Sequence, residues 1–231
     1  DELERVKRAG SHGVILKAPD DPRVRESIAD LTAVGISVVT LVTDVPQSER
    51  IAYVGMDNSA AGATAAQLVA LVLGEQPGAV LVNASSDLFR GEGERLAAFR
   101  KELQRLQSTR EVIDLSNSDG LDESVAELVN DLVKTRRDIL AVYSVGGGNR
   151  AIRASLDAVG VPLRVFVAHD LDDDNRELLA DGGIDLVLHH NLEVDASRAI
   201  RLLMAHSDGA QSLPVVSPSP VQVITRGNPT S

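Results

Sequence analysis

The strongest constraint on this 231-residue chain is an alternation that runs almost from end to end. Short β-branched runs, GVILK (13–17), SVVTLV (37–42), IAYV (51–54), AVLVNA (79–84), EVIDL (111–115), ILAVYSV (139–145), RVFVAH (164–169) and DLVLHH (185–190), are separated by stretches of helical periodicity near 22–34, 58–74, 91–107, 121–135, 149–159, 173–181 and 193–206. A strand followed repeatedly by a helix is the pattern of parallel sheets with helices on both faces. The spacing predicts that the helix at 58–74 packs on its sheet through Ala61, Ala65, Leu68, Val69 and Val72. The helix at 121–135 is expected to use Leu121, Val125, Leu128 and Leu132 in the same way. The proline-bearing tail SLPVVSPSPVQVITRGNPTS suits an edge strand and a crossing between lobes, because proline cannot donate to a central ladder.

Composition narrows the function classes. With 43% hydrophobic and 25% charged residues the chain has ordinary globular composition. It contains no cysteine, which removes disulfides, thiolate metal sites and cysteine nucleophiles. A formal charge of −11 repels a DNA backbone, so any contact with DNA must come from another segment. No apolar run is long enough to span a bilayer, and DELERVKRAG is not a signal peptide, so no membrane partner is expected.

In open parallel sheets, ligands bind beyond the carboxyl ends of the strands. Those positions are polar here: Asp44, Asp57 and Asn58, Ser85 to Arg90, Gly146 to Asn149, Asp170, and His190 with Asn191. Gly146-Gly147-Gly148-Asn149 formally fits a dinucleotide-binding turn, with Asp170 about 20 residues on as that motif expects. It lies deep in the chain rather than at the start of a domain, and no catalytic pair accompanies it, so glycines serving a sharp turn or a close approach are the preferred reading. His189 and His190, as strand neighbours, point to opposite faces and make a poor metal pair. Asp172, Asp173 and Asp174 read as helix-start carboxylates, without the glycine and distal glutamate of a calcium loop. Arg90 and Arg95 sit in the first turn of a helix at the sheet's carboxyl edge, where an arginine fork could reach ligand oxygens. No nucleophile–base–orienter set is visible, so no catalysis, cofactor or metal is assigned.

Several stretches resemble a known family. GISVVTLVTDVPQSERIAYVGMDNSAAGATAAQLV (35–69), RLAAF (95–99), YSVGGGNRAI (143–152) and HDLDDDNRELLADGGIDLVLHHNLEVDASRAI (169–200) look like the effector-binding region of LacI-family transcription regulators and the related periplasmic sugar-binding proteins. The resemblance implies an α/β, periplasmic binding protein type I-like fold of two Rossmann-like lobes: residues 1–56 plus 191–220, and 57–190 plus 221–231 with five parallel strands, the ligand cleft lying between them. It also implies that the first lobe lacks its opening strand–helix–strand unit. By the same resemblance Asp44, Arg95 and Asp170 are ligand-binding residues. Asn149 stands where the family often has an asparagine-aspartate pair, His190 stands where a glutamine is common, and Phe89 is the ring expected against a sugar face. Met56, Asp57, Asn58 and Asn191 are expected at hinge crossings, with a third crossing near Ser217 to Val221. The implied function is a cytoplasmic, homodimeric regulator that binds a sugar-like effector and reaches its DNA operator through an N-terminal helix-turn-helix absent from these residues. A transporter's solute-binding protein and, from another class, a nucleotide-dependent enzyme are the competing readings.

Overall fold

The structure, a computed structural model, describes residues 2–85, 90–115, 118–209 and 216–229. The elements begin with α1 (Glu2–Ala9), β1 (Gly13–Leu16), α2 (Pro22–Ala33), β2 (Ser37–Leu41) and β3 (Ala52–Val54). They continue with α3 (Asn58–Leu73), β4 (Ala79–Asn83), α4 (Arg90–Leu106), β5 (Val112–Leu115), α5 (Asp122–Leu132), β6 (Ile139–Ser144) and α6 (Asn149–Ala158). Next come β7 (Val165–His169), α7 (Asp173–Asp181), β8 (Leu186–His189), α8 (Leu192–Ser207) and β9 (Gln222–Ile224). The chain forms two compact units, one of residues 1–57, 88–91 and 191–220, the other of residues 58–87, 92–190 and 221–231. The alternation predicts these parallel sheets under helices, and the α/β periplasmic binding protein type I-like fold is the one the resemblance implies.

The first unit carries a three-stranded parallel sheet in the order β1-β2-β3. Alternation along β2 sends Val38 to one face, against Ile28, Leu31, Ile36 and Val45, and Val39 to the other, against Val54, Ala199 and Leu202. Thus α2 covers one side and α8 the other. Helix α2 starts where Asp21 accepts the Arg23 amide at 2.8 Å and Pro22 supplies a preset first turn. Two buried polar groups tie the returning chain to this sheet. Asp195 of α8 accepts a short hydrogen bond from Ser219 Oγ, and the Ser219 amide donates to the Gly55 carbonyl at 2.8 Å, beside a parallel bridge between Met56 and Ser219.

The second unit has a six-stranded sheet ordered β5-β4-β6-β7-β8-β9, parallel except for the β8–β9 pair. Five of these strands are those expected; β9 is the added edge strand supplied by the tail. One face packs Leu81, Val142, Phe166 and Val187 under α5, α6 and α7 through Val125, Val129, Ile152, Leu156 and Leu179. The opposite face packs Val80, Val82, Tyr143 and Val167 under α3 and α4 through Ala65, Ala66, Val69, Phe99 and Leu103. Two predicted faces need correction. One residue of each turns outward, Val72 at 47% and Leu121 at 65% exposed, whereas Ala61, Ala65 and Val69 are buried as expected and are joined in α3 by Gly62, Ala66 and Leu73. The small residues win because α4 lies close. A Cβ on Gly62 would stand 2.0 Å from the carbonyl oxygen of Arg95.

Candidate functional site

Strand order reverses at β4, which pairs with β5 on one side and β6 on the other, so the crevice beyond the carboxyl ends of β4 and β6 is the topological switch point of this sheet. A cavity of about 200 Å³ opens there, within the second unit. Its floor is the glycine turn after β6, held by Asn83 Nδ2 donating to the Gly147 carbonyl at 2.8 Å. Gly148 adopts φ +79°, and a Cβ on Gly147 would lie 2.4 Å from the Gly120 carbonyl oxygen. The glycines therefore serve a sharp turn and close backbone packing.

The far wall is built around Asn175, which directly follows the carboxylates Asp172 to Asp174 and which no strand-end rule singles out. Its Nδ2 donates to the carbonyls of His169 (2.9 Å) and Asp170 (2.7 Å), its Oδ1 accepts from Asn149 Nδ2 (2.8 Å), and its amide is capped by Asp172 Oδ1 (2.8 Å). One side chain thus fixes the turn after β7 to the start of α6. The turn is strained: Asp170 has φ +64°, a left-handed conformation that aspartate tolerates better than most residues. Its carboxylate is about half exposed and 3.9 Å from an Nη of Arg95. Burial, then repulsion from Asp174, Asp170 and Asp173, pushes the Asp172 carboxyl above its ordinary range, against the Asn175 amide that lowers it. On the near wall Glu92, likewise not singled out, accepts from the Ser85 amide and hydroxyl, both at 2.7 Å. Its signal was its place in the first turn of α4, one turn before Arg95.

Of the predicted ligand residues, Asn149 and Asp170 line this cavity together. Arg95 is 5% exposed, and its Nε donates to Asn58 Oδ1 at 2.9 Å, so it braces α4 against the start of α3. His190 is buried after β8, its ring 5.9 Å from that of His189. Asp44 belongs to the first unit, just beyond β2, where Arg50 grips both carboxylate oxygens (2.5 and 2.7 Å) and Thr40 donates at 2.9 Å. Burial raises that carboxyl, but the bonds and charge of Arg50, with Thr40 and the Val45 amide, outweigh it and hold Asp44 below its ordinary range. Phe89 lies outside the described residues. Among the expected hinge residues, Met56 is buried in the bridge to Ser219, Asp57 is exposed, Asn58 opens α3, and Asn191 caps α8 by accepting the Val194 amide at 2.9 Å.

Below the cavity, His169 is fully buried with Nε2 2.8 Å from the Tyr143 hydroxyl. Burial, then the charges of Arg95 and His190, lowers its pKa well below the ordinary imidazole value, and burial lowers His189 too. Each of these imidazoles takes up its proton at lower pH in the folded protein than in the unfolded chain, where uptake is near pH 6.5. Stability is therefore complete above that pH and is lost as pH falls through it, by at most about 1.4 kcal/mol per pH unit for each imidazole. Urea denaturation from pH 7.5 to 5.5 is expected to show this fall, with a shallower slope in His169→Gln; a wild-type midpoint independent of pH contradicts it.

A larger depression of about 710 Å³ lies at the opposite, amino-terminal end of the sheet. Its Arg110 is occupied by the carbonyls of Gly74, Gln76 and Gly78, which makes it a loop brace rather than a ligand group. Among the described residues no helix is long and apolar enough to cross a membrane.

Comparison with solved structures finds the same fold in binding proteins. A solute-binding protein of an ABC transporter from Burkholderia graminis, in complex with D-arabinose, superposes with TM-score 0.86 at 23% identity over 100% of this chain and 81% of that one. A sugar-binding protein of a sugar ABC transporter from Bacillus halodurans gives TM-score 0.87 at 19% identity, covering 99% of this chain and 82% of that one. A candidate LacI transcriptional regulator from Bacteroides fragilis gives 0.85 at 16% identity, covering 98% and 80%. At these identities the likeness establishes the fold. No curated protein matches by sequence. The model of the periplasmic binding protein domain matches residues 3–211, and the chain belongs to that family.

Proposed function

We propose that this chain binds a small sugar or sugar derivative and serves as the effector-binding part of a LacI-type regulator. The observation that carries the sugar-binding reading is the convergence of Asp170, Asn149 and Asn175 at the switch point of the second sheet, a half-exposed carboxylate and two amides held in place by one another. A carboxylate accepting from two sugar hydroxyls gives charge-assisted bonds, the strong class of polar contact. The regulator reading rests on the resemblance of residues 35–69, 95–99, 143–152 and 169–200. In it the sugar acts by binding one arrangement of the two units better than another, and it can shift that equilibrium only by this difference. A homodimer, a cytoplasmic location and an operator contacted through a separate helix-turn-helix belong to this reading. The transporter alternative is favoured by the sugar-binding proteins among the similar structures, and it predicts a monomer.

The test is calorimetric titration with monosaccharides, paired with sedimentation. A sugar bound by a dimer supports the regulator, and a sugar bound by a monomer supports the transport receptor. Binding of NAD in place of any sugar would leave only the nucleotide-dependent enzyme.

One substitution separates the site from the fold. Asp170→Gly removes the carboxylate and relieves the positive φ. The dissociation constant is expected to rise at least about tenfold, the loss of one charge-assisted bond of about 1.5–3 kcal/mol, with a melting temperature at or above the parent's. Unchanged affinity removes Asp170 from the site.

A further inference from the structure

The sugar-binding reading leaves open what kind of sugar the rim selects, and the charges around the cavity are lopsided. Glu92, Asp122, Asp170, Asp172 and Asp174 line it, with Arg150 as the cation among them. Arg150 is committed to carboxylates on α7, with Nε 2.9 Å from Asp174 Oδ1 and Nη2 on Glu177. Arg95, beneath the rim, lies 3.9 Å from Asp170 and is engaged with Asn58. Among the described residues, Arg150 at the rim and Arg95 beneath it thus face five carboxylates, and the raised pKa of Asp172 reflects that crowding after its burial.

A second, independent observation concerns the same wall. Asn149 Oδ1 and His169 Nδ1 are buried polar atoms without a hydrogen-bond partner, on residues that line the cavity and are 6% and 3% exposed. Unsatisfied buried polar groups are rare and call for an explanation. The amide oxygen can only accept, so a hydrogen-bond donor completes the wall at Asn149, while His169 Nδ1 donates or accepts according to its tautomer. A metal ion is a poor candidate for that donor-seeking, acidic rim, because among the described residues no three carboxylate or imidazole groups converge closely enough to hold one.

We propose that the ligand of this rim is a sugar bearing a protonated amine, an amino sugar, rather than a neutral, phosphorylated or uronic one. An ammonium group brings three donors and one positive charge, which matches an acceptor-rich wall with excess negative charge. A phosphate or carboxylate would meet an excess of like charge, five carboxylates against two arginines. The inference depends on the sugar-binding reading, and the experiment keeps the two separable.

Calorimetric titrations at pH 6.5, where the amines are protonated, would compare D-glucosamine, D-galactosamine and D-mannosamine with D-glucose, D-galactose and D-mannose, in 20 mM and 500 mM NaCl, with calcium chloride titrated alone. The expected result is that at least one amino sugar binds ten or more times tighter than its neutral parent. The gap is expected to narrow severalfold in high salt, where charges are screened, and also in Asp122→Asn. Neutral parents binding as tightly as the amines, or more so, would overturn the amino-sugar inference and leave sugar binding intact. No binding by either set, or binding of calcium alone, would overturn both.

Discussion

Replacing Gly62 by alanine is expected to lower the melting temperature by roughly 4–8 °C. The added methyl carbon would meet backbone atoms of α4, the Arg95 carbonyl oxygen at 2.0 Å and its carbon at 2.8 Å, so no side-chain rotation relieves the contact. The helices α3 and α4 must separate, which pulls Ala65, Ala66 and Val69 from Phe99 and Leu103 in one core cluster. Overpacking against backbone costs about 3 kcal/mol, at the upper end of the usual range. Better helix propensity returns about 1 kcal/mol. For a protein of this size each kcal/mol moves the midpoint by about 2–4 °C. Gly93→Ala supplies the control, since a Cβ there meets nothing within 4 Å, and it is expected to leave the midpoint level or raise it. Equal midpoints for the two variants in a calorimetric scan would refute the close approach of α3 and α4.

The second large effect is expected from Arg95→Met, which keeps much of the side-chain volume and removes the guanidinium. Asn58 Oδ1 then loses its charged donor in a site that is 8% exposed. A buried acceptor left unsatisfied, together with a lost charged bond, costs about 2–3 kcal/mol. The loss of charge has a separate signature. Arg95 is the second cause, after burial, that lowers the His169 pKa, so in the variant the imidazole should titrate at higher pH than in the parent while staying below its ordinary range. Denaturant unfolding reads the first effect, and the pH dependence of the His169 ring signals in NMR reads the second. A destabilised variant with an unmoved His169 would place the guanidinium farther from the ring than the structure has it.

These effects also mark where the sequence was readable. Parallel sheets under helices followed from period alone, because strands buried on both faces are continuous apolar runs and their helices carry long stripes. Asp170 and Asn149 were found by asking which residues follow a strand, a rule that depends on strand ends and not on packing. Arg95 was placed at the rim by the same rule. Its burial depends on how near two helices approach, which Gly62 permits from 33 positions away. Asp44 and Arg50 are six residues apart, yet their pairing needs the turn after β2, where Val42 takes φ +67°, a conformation nothing in its residue type advertises. Asn175 was hidden for a different reason. Its role is a set of four hydrogen bonds closed by tertiary structure, while locally it is one more polar residue at a helix start.

The return of α8 to the first unit sets a timetable for synthesis. Ala199 and Leu202 cover the face of β2 and β3 that carries Val39, Ala52 and Val54, but the ribosome makes them only after the whole of β4 through β8. At bacterial or eukaryotic translation rates that gap is on the order of ten seconds. Throughout it, a nascent three-stranded sheet has α2 on one side and a bare apolar surface on the other, while the second sheet can already assemble save for its last edge. Until residue 202 emerges, that face of β2 and β3 lacks the cover that Ala199 and Leu202 give it, so this unit closes last although its sheet is made first.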